Sequence, residues 1–283
     1  MENNVQVSLV ASATRPMLED GFRNWDRFYN SLKGNSVNWE VIFVGDVPPT
    51  SPMPDNFRWI KSTAKPAQCY EIGFRAAKGE TIAWTADDAS YNWNGNVRTI
   101  DIAYEHYKRM ERERGNDKGV VAFRPIEDGG DVYKFHCLQG GNSSTPAMAP
   151  FALISRRYLN EELKGYDRRF VSGQSENDVI MRVYETGGIV EINMEAFVYV
   201  NHRQVHPKGS NINKFRKHYT DDRKFLEAAW VVEGYGAMDS GRGFTVSKTR
   251  LCPLEPFEAT EDWHEVSQGN MGKEWDEHKK NSK

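Results

Sequence analysis

The chain has 283 residues, 39% of them hydrophobic and 27% charged, with a formal net charge of -3. This suits a soluble α/β protein of one large or two small domains, and it gives no basic footprint for general nucleic-acid binding. Three scattered cysteines, Cys69, Cys137 and Cys252, lack metal-ligand or redox spacing, so no disulfide framework and a reducing compartment are expected. No apolar run reaches the ~18 residues of a membrane span and the amino terminus lacks a basic, then apolar, leader, so the expectation is a cytoplasmic protein without a transmembrane segment.

Val5 to Ala11 is a short apolar run that ends in the loop Ser12-Ala13-Thr14-Arg15-Pro16, and it predicts a first, central strand. Phe22, Trp25, Phe28, Tyr29 and Leu32 recur at helical intervals before Gly34, which predicts a helix over Leu18 to Leu32. Trp39 to Val44 is a second buried strand that carries Asp46 just beyond its end, before a proline-rich turn. Phe57 to Lys61 reads as a third strand and Pro66 to Lys78 as the next helix, stopped at Gly79. Thr81 to Thr85 is then a buried strand that delivers Asp87 and Asp88 at its end. Strands alternating with helices imply a mostly parallel sheet, and such sheets bind ligands at the carboxyl ends of their strands.

Tyr91 and Trp93 lie in the loop that follows, where an aromatic ring either packs into the fold or presents a face for stacking. A long amphipathic helix is expected from Val97 to Arg114, then a strand over Gly119 to Arg124. Val132 to Leu138 alternates and predicts an edge strand, and the loop Gly140-Gly141-Asn142-Ser143-Ser144 follows. Ala147 to Ile154 predicts a strand, Asn160 to Lys164 a short helix, and Ser175-Glu176-Asn177-Asp178 the opening of an amphipathic helix stopped by Gly187-Gly188. Ile189 to Asn193 and Ala196 to Asn201 are the last strands, and Asn211 to Trp230 the last helix. The acidic tail, with Trp263 and Trp275, carries no readable pattern.

Adjacent aspartates at a strand end suit a hard divalent ion holding phosphates, although Asp also caps turns for purely local reasons. First-turn acids such as Glu176 and Asp178 likewise serve the helix dipole by default. For both pairs the residue types alone leave the alternatives open.

The ordered set of these pieces resembles the inverting glycosyltransferases of family 2, with the GT-A fold. Glu40 to Asp46 (EVIFVGD) is similar to the family's E-I-I-V-V-D-D strand, with Gly45 in place of one Asp. Glu71 to Asp88 resembles N-x-G-x-x-x-A-x-G-E-Y-I-A-F-L-D-x-D: Gly73, Ala77, Gly79, Glu80 and Asp88 match, while Glu71 replaces Asn and Ala86 the first Asp of D-x-D. Phe151 to Phe170 is similar to the strand, helix and G-G-F-D-E-x-F turn, and Ser175 to Arg182 to E-D-x-D-L-x-x-R.

The resemblance covers residues 5 to 206 and implies an α/β, Rossmann-like GT-A domain over 1–206. A nucleotide-sugar half (1–95), an acceptor half (96–206) and a carboxy-terminal extension (207–283) make up that expectation. It implies a metal-dependent, inverting, hexosyltransferase-type enzyme that moves a sugar from a nucleoside-diphosphate sugar, expected to be UDP-linked, to an acceptor hydroxyl. A saccharide acceptor is expected and a nucleic-acid acceptor stays open.

By the same resemblance, Asp88 with His202 or His206 would hold Mn²⁺ or Mg²⁺, and Asp87, Thr14, Arg15 and Asp46 would surround the donor. Glu176 would be the general base, with Asp178 in reserve. A sugar nucleotidyltransferase is the enzymatic alternative, but it needs a glycine-rich basic loop after the first strand, and Ser12 to Arg15 has no glycine. The non-enzymatic alternative is a catalytically degenerate glycan- or protein-binding member of the fold, supported by Ala86 and opposed by the separated carboxylates Asp88, Glu176 and Asp178.

Overall fold

A computed structural model describes residues 4–13, 24–46, 54–133, 137, 148–200, 212–233, 245–246 and 248–257. Among them the elements run β1 (Val7–Ser12), α1 (Asn24–Ser31), β2 (Trp39–Gly45), β3 (Phe57–Lys61), α2 (Pro66–Ala76), β4 (Thr81–Ala86), β5 (Ala89–Ser90) and α3 (Thr99–Arg114). The second half continues with β6 (Gly119–Glu127), β7 (Gly130–Asp131), β8 (Ala152–Ser155), a wide helical turn Tyr158–Glu162, α4 (Ser175–Glu185), β9 (Ile189–Val200) and α5 (Ile212–Trp230). A small antiparallel ribbon of β10 (Val231–Glu233) and β11 (Thr245–Val246) closes the set.

The main sheet has the order β3-β2-β1-β4-β8-β6-β9-β5, with β7 paired to β6. Strands β3, β2, β1 and β4 are parallel, as are β6 and β9, while β8 runs antiparallel to both β4 and β6. The sheet is therefore mixed, and mostly parallel in its principal strands.

β1 is buried along its whole length because both faces of the sheet are covered, which is why it reads as an unbroken apolar run. Its side chains alternate between two cores. Val10 packs with Ile42, Val44 and Trp84 beneath α2 and α4, whereas Val7, Leu9 and Ala11 join Val41, Phe43 and Ala83 beneath α1 and α3. Each fully buried side chain of this kind contributes roughly 1.5–3 kcal/mol. Leu226, Ala229, Trp230 and Phe257 belong to the same core as Trp84. These described residues beyond 206 thus pack into the sheet's own core.

At the amino-terminal edge of the sheet, Glu40 is satisfied by Ser8 (2.6 Å), the Lys78 amide (2.7 Å) and Arg58 (2.8 Å). Glu40, the first residue of the EVIFVGD motif, is a fixture of the edge opposite the candidate site.

Three local expectations are corrected. Of the expected strand Val132 to Leu138, the described residues 132, 133 and 137 form none: the Val132 amide still reaches the Pro125 carbonyl of β6, but the Cys137 amide donates to the Tyr133 carbonyl four residues back, and Cys137 is buried in the core. The two last strands are one, β9, whose register against β6 shifts between Phe123 and Arg124. Asn193 makes that irregularity by accepting the amides of Glu195 (2.9 Å) and Ala196 (3.1 Å). The expected strand over Ala147 to Ile154 forms only from Ala152.

Candidate functional site

Register brings the carboxyl ends of three parallel strands together. Ser12 is the partner of Val44 on one side and of Ala86 on the other, so Asp46, which follows β2, and Asp87-Asp88, which follow β4, flank the end of β1. The close approach of β1 and β2 depends on Gly45. A Cβ there would overlap the carbonyl of Ala13, which explains physically why this position has no side chain where the resembled motif has an aspartate. Asp46 is exposed, while Asp87 and Asp88 are only 4% and 2% exposed. Thr14 and Arg15 lie outside the described residues. Cys69 of α2 faces the same end of the sheet. Burial pushes its thiol up to about 12, against the Ser12 hydroxyl and helped by the charge of Asp46, so it is no nucleophile at neutral pH.

The short strand β5 pairs antiparallel with the end of β9, Ala89 opposite Val200. The chain therefore leaves β9 beside the residue that follows Asp88. His202 and His206 come next in the sequence and lie outside the described residues. Among the described residues no group of three His, Cys, Asp or Glu side chains is close enough to hold a metal. The donor set present, two adjacent carboxylates at a strand end, is hard and anionic and fits Mg²⁺ or Mn²⁺ whose remaining ligands come from elsewhere.

Glu176 sits at the amino end of α4, half-buried. Its carboxyl is held above the usual range, first by burial and then by the neighbouring charge of Asp222, against the backbone amides of Gln174 and Glu176. Burial and, after it, the charge of Glu176 push the Tyr166 hydroxyl up, and the rings of Tyr166 and Tyr70 lie 5.9 Å apart. Tyr70 in turn donates its hydroxyl hydrogen to the carbonyl of Thr85, next to the end of β4. One line of side chains thus joins the paired aspartates to the helix that carries Glu176. Glu71 anchors that line: it accepts the Tyr166 amide (3.0 Å) and Arg75 Nε (2.9 Å), and it packs so closely on Gly165 that a Cβ there would overlap it.

Asp178, the reserve base, occupies a different environment. It is 0% exposed, with Oδ2 taking Arg182 Nε (2.9 Å) and Oδ1 taking Trp230 Nε1 (2.9 Å) and Arg250 Nε (3.0 Å). A carboxylate so enclosed is tied to the fold, because α4 turns it toward α5 and the 248–257 segment. Arg182, from the same motif, donates to the carbonyls of Leu163 and Gly165 and clamps the turn before Tyr166. Tyr91 is likewise core: it is 0% exposed and packs edge-on between Phe28 and Phe123. Trp93 is stacked on Tyr199 at 4.6 Å, which covers one of its faces. The loop over Gly140 to Ser144 lies outside the described residues.

Tyr70, Asp222 and Arg250 were not singled out from the sequence. Asp222 did carry a signal, since it falls at helical spacing with Leu226 and Ala229 on the buried face of α5, where an unpaired carboxylate would be costly.

Taken together, the sheet order, the flanking helices and the strand-end crevice define a Rossmann-like α/β fold with a mixed central sheet. Among solved structures the chain is similar to residues 1-349 of TarS from S. aureus, with a TM-score of 0.52 and 11% identity over 78% of this chain and 64% of that one. The same TarS fragment in complex with UDP aligns with a TM-score of 0.48 and 13% identity over 69% of this chain and 60% of that one. The chain thus spans less than two thirds of the TarS fragment it matches. No protein-family model matches the chain, and no curated protein matches it.

Proposed function

We propose that this protein is a glycosyltransferase of the GT-A, family 2 kind that uses a nucleoside-diphosphate sugar. The observation that carries the reading is the link from the strand end that bears Asp87-Asp88 to the Glu176 end of α4, made by Tyr70 on the Thr85 carbonyl and Tyr166 packed beside it. TarS, whose fold this chain shares, has been crystallised with UDP, which agrees with a uridine-linked donor here.

In this reading Asp88, assisted by Asp87 and by His202 or His206, would hold a Mn²⁺ or Mg²⁺ ion that neutralises charge on the leaving diphosphate. Exit of the chain from β9 beside the paired aspartates supports one of those histidines as a ligand. Thr14 and Arg15, which follow β1 in the sequence, and Asp46, just after β2, would surround the donor's base and ribose. Glu176 accepts the proton of the acceptor hydroxyl as it attacks the anomeric carbon from the face opposite the diphosphate, which inverts that centre. A carboxylate with a raised proton affinity is the better base for this step. Residues 1–206 form the transferase unit in this proposal, with donor and acceptor halves meeting near residue 95. The 207–283 extension contributes α5 and the 248–257 segment to the acceptor side, and the acceptor is a saccharide hydroxyl.

Thermal melting of the purified chain against a panel of nucleotide sugars, each with and without Mn²⁺, tests the proposal. A donor present at 100 times its Kd stabilises the fold by about 2.7 kcal/mol. A Mn²⁺-dependent rise in Tm with one donor, followed by transfer that Glu176→Gln abolishes, is the expected result. Binding of glycan alone, with no response to any nucleotide sugar, would favour the degenerate binding module, for which Ala86 is the ground.

A further inference from the structure

The loop that leads into α4 is held by a side chain from outside the 5–206 stretch that carries the family resemblance. Asp222 of α5 is 0% exposed, and its carboxylate accepts three consecutive backbone amides, Val171 on Oδ1 (3.1 Å) and Ser172 and Gly173 on Oδ2 (2.6 and 3.0 Å). The other side of the same loop is fixed as well: the Val171 carbonyl accepts the Ala67 amide (3.1 Å) in the first turn of α2. That turn stands at the carboxyl edge of the sheet, where Asp87 and Asp88 lie. One turn before Asp222, Tyr219 accepts Gln174 Nε2 (2.8 Å), and Gln174 Oε1 accepts Asn177 Nδ2 (2.8 Å) across the start of α4. Gln174 needs this support because it adopts a left-handed backbone, with φ 67.

We infer that Asp222 is a positioning residue for Glu176: through the 171–173 amides its carboxylate fixes the entry to α4, at the helix end that carries Glu176. The inference rests on the proposed role of Glu176 as base. A buried carboxylate spent only on capping a loop could be replaced by an uncharged acceptor with little change at Glu176, whereas a charge that faces the base could not. The groups that face Glu176 are Asp222 from α5 and Tyr166 from the preceding turn; Asp221 faces Asp222, and Asp178 on the same helix is held by Arg182 and Arg250. Tyr166 keeps its proton throughout the relevant range, since burial and the adjacent Glu176 push its pKa up. Asp222 is therefore the neighbour whose charge state changes alongside that of Glu176.

The test is a ¹³C-carboxyl NMR titration of the full chain, with the Glu176 signal assigned by its loss in Glu176→Gln. In Asp222→Asn the Glu176 midpoint should fall by roughly one pH unit, as removal of a nearby like charge requires, and Asp221→Asn should move it less. An unmoved midpoint in folded Asp222→Asn, or an equal shift from Asp221→Asn, overturns the inference. Should Asp222→Asn not fold, the reciprocal measurement decides: coupling is mutual, so the Asp222 midpoint must fall in Glu176→Gln, and an unmoved value counts against it. With the donor identified by melting, Asp222→Asn should lower kcat about tenfold, leave the donor KM unchanged and move the acid limb of the pH profile down with the NMR midpoint. Coupling without turnover on any nucleotide sugar would leave the Asp222–Glu176 relationship standing and remove the transferase reading.

Discussion

Arg250 donates from Nε to Oδ1 of Asp178 at 3.0 Å, and its Nη2 reaches Oδ2 of Asp167 at 2.8 Å. One guanidinium from near the end of the described chain therefore neutralises two carboxylates that are fully buried on either side of the turn before α4. Around it, the Arg168 amide donates to the Glu255 carbonyl (2.9 Å), the Glu255 amide to Asp167 (3.2 Å) and Arg75 Nη2 to the Phe257 carbonyl (2.8 Å). The 250–257 segment is thereby fastened across α2, the 165–170 turn and α4.

Removal of that guanidinium leaves Asp178 short of one partner and Asp167 with Arg169 alone among its cations. Arg250→Ala should cost about 3–5 kcal/mol, the usual penalty for breaking a buried ion pair on one side. Urea unfolding of the variant against the parent chain measures it, and a loss below 1 kcal/mol would show that the strap carries little of the fold's stability.

Asp222 makes stability depend on pH in a definite direction. Burial raises its carboxyl from 3.8 to about 6, against the three amides and with help from Asp221. Between those two values the folded state binds more protons than the unfolded state, so the contribution is complete below pH 4 and is lost as pH rises through 6. The loss amounts to about 3 kcal/mol at most. Subtracting the Asp222→Asn stability profile from that of the parent isolates the effect, and a difference that grows toward acid is the expected outcome. Asp167 works in the opposite sense. Burial pushes it up, but Arg169 and Arg250 outweigh burial and hold it below the usual range, so its contribution disappears only as pH falls through its folded value.

Gly45 cannot take the aspartate found at this position in the resembled strand. Gly45→Asp would press its Cβ into the Ala13 carbonyl and should destabilise the chain by roughly 1–3 kcal/mol or more, as overpacking does. Thermal melting checks this. If the variant melts with the parent, the strand ends have room to separate and the close approach is not required.

Asp88→Asn keeps the shape of the strand end and removes one charge. Turnover should fall roughly 10²-fold or more, since a lost metal ligand forfeits several kcal/mol of charge stabilisation. Tm should hold or rise, because a buried carboxylate is no longer desolvated. Calorimetric titration of UDP with and without Mn²⁺ provides the direct readout, and unchanged Mn²⁺-dependent binding would remove Asp88 from the metal site.

Much of this fold is legible in the chain itself. β3 spans the expected Phe57–Lys61, and β2, β4, α2 and α5 begin within a residue of where periodicity and stop signals put them. The order of the strands is another matter. β8 lies antiparallel between β4 and β6, which come before it in the chain, and no local pattern reports such a pairing. Nor could the 132–138 stretch reveal the bond from the Cys137 amide back to Tyr133, because alternation over so few residues suits a strand equally well.

The candidate site divides in the same way. Asp87-Asp88 at a strand end and Glu176 at a helix start follow from neighbours in the chain, through strand period and helix capping, and so the sequence alone located them. Whether a carboxylate is free to react or is enclosed depends on what folds against it. Asp178 and Glu176 are two residues apart on one helix, yet Trp230 and Arg250 enclose the first, while Tyr166 and Asp222 face the second. Those partners arrive from distant parts of the chain, and burial and charge act through space, so only the tertiary structure could decide which acid is locked among Arg182, Trp230 and Arg250 and which stands beside Tyr166 and Asp222.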